Sequence, residues 1–431
     1  MEELRLVPAP ADEPAAAAPA PELEVELEPQ PRASKHRSPG DDGVGRLIVS
    51  CLKDAVDAGA SDLLFEPTDE GLSVRVRIDG VAQYSVVRVS DSPDFDRTLT
   101  NRLKTMADLV VTDGPGRQAG SFPILVDGRP VFVRCTVVPT SHGEAVALRI
   151  VDGAKRTRTY GELGLAQDTA EAFFRAHSLP SGLIVVAGPP GSGKTTTAYA
   201  ALDELYAPAR MFATLEDPVE VDLPGIDQIV VNGRDKPTVA DALQSALRAN
   251  PDVLLVGEIR DAETARAAVD AAAGGVLVLA TTLAKDASSA VARIADHGVP
   301  RERLAGVLRC VLAQRLARRL CADCRREVAA DDGLRAFVAA ADGEPVPRVL
   351  HGHLGCPSCM QTGYRGRALY AELMAFDREL RGVVGSGAGD ELAAAAVARG
   401  MRPLAADGMR LVRGGVTAVD EIVRTGGDLL W

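Results

Sequence analysis

A chain of 431 residues is too long for one ordinary core and predicts two or three domains. Its 46% hydrophobic and 25% charged residues are those of a soluble globular protein; no apolar run approaches the roughly 18 residues of a membrane span, and MEELRLVPAP is not a secretory leader. A net charge of −12 argues against a general nucleic-acid surface, so no nucleic-acid partner is expected, and the chain is expected to be cytoplasmic, reaching any membrane through partners.

Residues 1–44 are dominated by Pro, Ala and Glu. Such a segment buries too little to offset its ordering entropy and is expected to be disordered. Within it ELEVELE (22–28) alternates acidic and apolar residues, the pattern of a solvated acidic run or of a strand added to a partner's sheet edge. Order is expected from about Arg46. Residues 47–58 have helical periodicity, and short strand-like runs at 73–78, 131–137 and 145–150 make 45–151 an α+β domain. A charged linker, 152–165, follows. Over 166–320, strands at 183–187, 211–215, 253–256 and 276–280 alternate with helix-favouring stretches at 195–205, 239–248 and 262–273, the signature of a parallel sheet covered on both faces. A cysteine-bearing segment occupies 321–372, and 373–431 reads as small helices broken by Gly and Pro.

The first strand of that alternation runs directly into GPPGSGKT (188–195) and then into a helix. Gly188, Gly191 and Gly193 let backbone N–H groups turn toward phosphate oxygens, and the helix aims the positive end of its dipole at the same charge. Lys194 can reach β- and γ-phosphates, and the Thr195 hydroxyl suits Mg²⁺; with Ser192 and Thr196 these residues form the expected nucleotide-binding set. Glu216 and Asp217 close the second strand, at the end of a parallel sheet where ligands bind, and are expected to tune the metal or the attacking water. Glu258 closes the third strand, placed to polarise a water for in-line attack. Gly257 precedes it where such strands commonly carry Asp.

Of the seven cysteines, Cys321 and Cys324, and Cys356 and Cys359, form two C-x-x-C pairs with the spacing of a tetrahedral zinc site. Such a site is worth on the order of 10–16 kcal/mol of folding free energy, enough to hold a small segment with little core. His351 and His353 are read as solvent-facing.

The phosphate loop, TLEDPVE (214–220) and LLVGEIRD (254–261) together resemble the ATPases of type II secretion and type IV pilus systems, and the likeness runs from about 46 to 424. TLEDPVE looks like that family's aspartate box. ASDLLFEP (60–67), VRVRIDG (74–80) and the run Arg134, Gly143-Glu144, Arg149-Ile150 are similar to its N-terminal domain. TGYRGR (362–367), YAEL (370–373) and the cysteine pairs match its assembly branch. The resemblance implies an α/β protein with a RecA-like P-loop NTPase domain, a preceding α+β (PAS-like) domain and a C-terminal zinc-bearing segment plus small helices. It implies ATP, Mg²⁺ and Zn²⁺, with Arg134 and Arg149 reaching a nucleotide, in part across the boundary of a ring. It further implies a homohexamer, peripheral at the inner membrane, working with a membrane platform and cytoplasmic recruiting proteins. Residues 1–44 stand where the family usually has a large recruiting domain.

Several positions depart from the family pattern. The histidine box reads Thr282-Leu283-Ala284-Lys285-Asp286, with Ala284 for the histidine; Leu64 replaces a common His, Asn250 an Asp, and Gln118-Ala119-Gly120 lacks its central Asp. Two functional forms follow: a motor that powers assembly of a secretion pseudopilus or pilus, or a nucleotide-gated scaffold with little hydrolysis.

Overall fold

Period-two alternation builds the first sheet. The computed structural model describes residues 41–69, 71–85, 93–111, 116–152, 159–231, 237–341, 343–386 and 389–427; the expectations for the 1–40 tail and for 153–158 of the linker lie outside them. Strands β1 (Ala60–Thr68), β2 (Gly71–Ile78), β3 (Val81–Ser85), β4 (Gln118–Val126), β5 (Arg129–Thr140) and β6 (Gly143–Asp152) form an antiparallel sheet in the order β3-β2-β1-β6-β5-β4. Val131, Val133, Cys135 and Val137 of β5 are buried against Ile48 and Leu52 of α1 (Asp41–Asp57) and Leu99 and Leu103 of α2 (Pro93–Met106). The intervening residues face outward. Across that outer face Arg134 stands opposite Arg149, Arg149 opposite Asp62, and Asp62 opposite Arg77, a row of charge crossing β5, β6, β1 and β2.

Two sequence expectations need correction here. Order begins before Arg46: α1 starts at Asp41, and Val44 is buried because the stripe Val44, Ile48, Leu52 extends one turn upstream, past Gly43 and Gly45. The sheet also holds β1, β3 and β4, which the alternation did not single out. In β4, Gly120 and Pro123 mask the strand pattern, and an edge strand is where proline is tolerated.

The second sheet is built from β7 (Gly182–Ala187), β8 (Phe212–Glu216), β9 (Asp227–Val230), β10 (Val253–Val256), β11 (Leu277–Thr282) and β12 (Leu308–Leu320). A two-stranded antiparallel sheet of β13 (Arg326–Ala329) and β14 (Val349–Gly352) follows, and then β15 (Tyr364–Ala375). The order of the large sheet is β15-β12-β7-β11-β10-β8-β9, parallel except for β15, which runs antiparallel along β12. Strands β7, β10 and β11 are buried throughout, as the near-continuous runs of a sheet covered on both faces require. One core cluster joins the sheet to α5 (Val239–Arg248) and α6 (Ala262–Ala273). Another joins it to α3 (Gln167–His177) and α4 (Lys194–Leu205). Asn250 leaves α5 with φ +55°, a left-handed conformation that Asn adopts readily.

Neither the linker nor the cysteine segment stands apart. Leu163 of a short 3₁₀ turn (Tyr160–Leu163) is buried beside Ala200 and Leu369, and the Tyr160 ring stacks on Phe173 at 5.9 Å. Residues 364–372, the end of the cysteine segment, enter the large sheet as part of β15. Val338 and Leu350 of the cysteine segment share one core with Tyr370 and with Leu404, Met409, Val412 and Ile422 of the C-terminal helices. The two larger units meet at the β2–β3 turn, where Asp79 accepts a hydrogen bond from the Gly366 N–H at 2.7 Å and lies 3.6 Å from the Arg367 guanidinium.

Candidate active site

The phosphate loop follows β7 at the centre of the large sheet, with β11 on one side and β12 on the other. A side chain at Gly188 would place its Cβ 2.5 Å from the Gln314 carbonyl oxygen and 2.4 Å from Ser192 Oγ, so the close approach of loop and β12 demands glycine. The chain then enters α4 at Lys194 from Gly193, whose φ is +86°. Lys194 Nζ donates to the carbonyls of Gly188 and Pro189, each at 3.1 Å, folding the ammonium back over the loop. Burial holds its pKa below the ordinary lysine range, against the pull of Glu258 and Glu220.

The Thr195 hydroxyl meets the carboxylate of Glu220, a residue to which the sequence alone assigned no role. Thr195 Oγ1 donates to Glu220 Oε1 at 3.4 Å. Burial, then repulsion from Glu216, pushes the Glu220 carboxyl above its ordinary value, while Thr195, Arg149 and Lys194 pull it down. Glu216 itself is 3% exposed and committed to its neighbours: its carboxylate accepts from the Tyr199 hydroxyl, from Thr214 Oγ1 at 2.6 Å and from Gln228 Nε2 at 3.1 Å. Asp217 stands at the cleft with Arg260 3.7 Å away.

Glu258 follows β10, as expected, and is clasped by Arg260 at 2.7 Å. The absence of Asp before it has a steric cause. Gly257 N–H donates to the Leu215 carbonyl at 2.8 Å, and a Cβ there would lie 2.8 Å from the same oxygen.

These groups line a cleft of about 1160 Å³ between the two sheets. From the first sheet come Asp62, Arg77 and Arg149, with Arg149 Nε held by Asp62 Oδ1 at 3.1 Å. Arg134 lies one strand further out, exposed and away from the cleft lining. The structure thus brings Gly191, Gly193, Lys194, Thr195, Thr196, Glu216, Asp217, Glu258 and Arg149 together, and leaves Arg134 outside. At the far end of the cleft Leu163, Leu316 and Leu369 form an apolar corner, a surface suited to a flat base. Leu163 lies in the stretch read as linker, so nothing in its composition marked it. Ala284 packs against the core, and the loop carries only the exposed Lys285 as a cation.

The four cysteines form a second site. Their sulfur atoms all lie within 4.8 Å of one another, with Sγ···Sγ distances of 3.9 Å (Cys321–Cys356), 3.8 Å (Cys324–Cys359) and 3.7 Å (Cys356–Cys359). A tetrahedral zinc with Zn–S bonds of about 2.3 Å requires sulfur–sulfur edges of about 3.8 Å, so the four thiols fit the ion. Although burial opposes it, the backbone N–H groups of Cys356 and Gly363, at 3.2 and 3.1 Å from the sulfur, bring the Cys359 thiol down to about 6. His353 turns instead toward Asp420, 3.5 Å away, outside the cluster. Among the described residues no helix is long and apolar enough to cross a membrane.

Comparison with known proteins places these sites in context. A family model described as "Type II/IV secretion system protein" matches residues 38–424. The chain is 42% identical over 380 residues to the type II secretion system protein HxcR of Pseudomonas aeruginosa, covering 88% of this chain and 76% of that one. It is 38% identical over 379 residues to the type II secretion system ATPase E of Vibrio cholerae, covering 88% and 74%. Among solved structures, the ATPase DotB of Legionella pneumophila shares the fold, with a TM-score of 0.64 at 18% identity over 91% of this chain and 96% of that one.

Proposed function

The chain belongs to the type II/IV secretion family of ATPases, and on that footing we propose that it works as a ring of six copies whose ATP hydrolysis drives assembly of a secretion pseudopilus or pilus. One observation carries the reading: Lys194, Thr195, Glu220 and Glu258 share a cleft with Arg149 of the other sheet. Hydrolysis in that cleft can therefore be coupled to movement of one unit against the other.

In this account the loop amides and Lys194 hold the β- and γ-phosphates once the ammonium leaves the carbonyls of Gly188 and Pro189. Thr195, with Glu220 beside it, would hold Mg²⁺, which neutralises charge on the transferred phosphoryl group. Asp217 would orient its waters, and Glu216 fixes the Tyr199 hydroxyl, which accepts the Glu220 backbone N–H at 3.3 Å and so positions Glu220. Glu258 takes a proton from the attacking water while the bond from the γ-phosphorus to the bridging oxygen breaks, leaving ADP and phosphate. Arg149 contributes positive charge from the first sheet; Arg134, outside its own cleft, is assigned to a neighbouring copy's. The cysteine cluster binds Zn²⁺ and braces the segment between β12 and β15. A membrane platform and cytoplasmic recruiting proteins hold the ring at the inner membrane.

Ala284 favours a second reading, a nucleotide-gated scaffold, because no imidazole stands where the family's histidine does. Doping wild-type chain with Glu258→Gln chain tests the ring. If copies fire together, hydrolysis falls faster than the wild-type fraction; a strictly proportional fall contradicts coupling between subunits.

A further inference from the structure

Gln314 lies on β12, outside every motif that identifies the nucleotide site, yet it is 1% exposed and lines the cleft. Its side chain reaches the phosphate loop: Nε2 donates to the Ser192 carbonyl oxygen at 2.8 Å. The amide cannot be reversed, because that would set two acceptors against each other. In a trans peptide the carbonyl oxygen and the following N–H point in opposite directions. Holding the Ser192 oxygen back against β12 therefore aims the Gly193 N–H the other way, away from Gln314. Gly193 has the room this needs, since a Cβ there would already stand 3.3 Å from Gln314 Nε2.

We propose that Gln314 is a positioning residue for phosphate binding: it fixes the Ser192–Gly193 peptide so that the Gly193 N–H donates to a nucleotide phosphate. The proposal rests on the reading of this cleft as a nucleotide site. A second feature separates it from simple packing. Among the described residues Gln314 Oε1 is buried without a hydrogen-bond partner, as is Ser192 Oγ. A residue kept only to fill space would not leave that acceptor bare, since leucine or methionine occupies the same volume without the cost. The side chain is retained for the bond that its other end makes.

The test compares ligands that differ in phosphate. Binding of Mg–ADP and of adenosine is measured for the full-length wild-type chain, for Gln314→Leu, which removes the donor without adding charge, and for Gln314→Met, which has no hydrogen-bonding amide. Both variants are expected to lose ADP affinity by about 10- to 100-fold, the weight of a hydrogen bond to a charged group. Adenosine binding should hold within about twofold, as should melting temperature within a few degrees for Gln314→Met. Unchanged ADP affinity in a folded variant, or equal losses for ADP and adenosine, overturns the proposal. If both variants unfold, the wild type decides: Mg–ADP must protect the Gly193 amide from hydrogen exchange, and failure to do so overturns it. A wild-type chain that binds no ADP, whatever Gln314 does, refutes the nucleotide reading itself.

Discussion

At the scale of single residues, Glu216 and Glu220, two of the three acidic side chains in TLEDPVE, are expected to divide the work unequally. Glu216 is buried with its oxygens taken by Tyr199, Thr214 and Gln228, while Glu220 faces Thr195. Glu220→Gln is therefore expected to lower kcat by at least about 10-fold, the scale of losing one metal-organising carboxylate, and to raise the Mg²⁺ concentration for half-maximal hydrolysis, with little change in melting temperature. Glu216→Ala leaves the buried Tyr199 and Thr214 hydroxyls without their acceptor and should cost about 2–4 kcal/mol of stability, read from denaturant unfolding. Equal effects of the two substitutions on Mg²⁺ dependence would contradict this division. Lys194 and Glu258 were legible in the sequence because each sits beside an apolar strand whose end faces the crevice. Glu220 was not, because its approach to Thr195 depends on how the chain folds back after Pro218, beyond the reach of strand periodicity.

At the scale of elements, the fully apolar strands could be read almost to the residue, β10 and the helices α5 and α6 in full. Strand β12 could not, because Gln314, Arg315, Arg318 and Arg319 interrupt its hydrophobic pattern. Three of those side chains reach distant partners: Gln314 donates to the Ser192 carbonyl, Arg315 to the Lys285 carbonyl, and Arg318 pairs with the buried Glu421. Tertiary contacts thus let polar residues occupy an interior strand, which local propensity cannot foresee. Because β12 and β15 flank the cysteine segment and also extend the large sheet, loss of metal should be felt at that junction. Cys321→Ser is expected to reduce bound zinc from about one ion per chain to none and to open 321–363 to proteolysis, leaving the first sheet protected. Unchanged zinc content and unchanged protection would contradict the metal assignment.

At the scale of the whole molecule, the groups lining the cleft come from two sheets joined by the Asp79–Gly366 and Asp79–Arg367 contacts. The resemblance to secretion and pilus ATPases anticipated a role for Arg149, which stands in the lining of the cleft. The spacing of residues alone does not, since an arginine at an outward strand position is ordinarily solvent-facing. The same packing leaves Arg134 on the open face of the first sheet, which a ring would cover. Ala284 carries no titratable group, and Lys194, Thr195, Glu220 and Glu258 all stand in the cleft lining, so the chain is expected to be a working ATPase. Steady-state ATP hydrolysis with Mg²⁺ tests this most directly, with Lys194→Ala and Glu258→Gln alongside. The account predicts turnover by the wild type, abolished in both variants, with nucleotide binding lost in Lys194→Ala and kept in Glu258→Gln. Wild-type hydrolysis no faster than that of Glu258→Gln, with nucleotide binding intact, would contradict it and leave the nucleotide-gated scaffold.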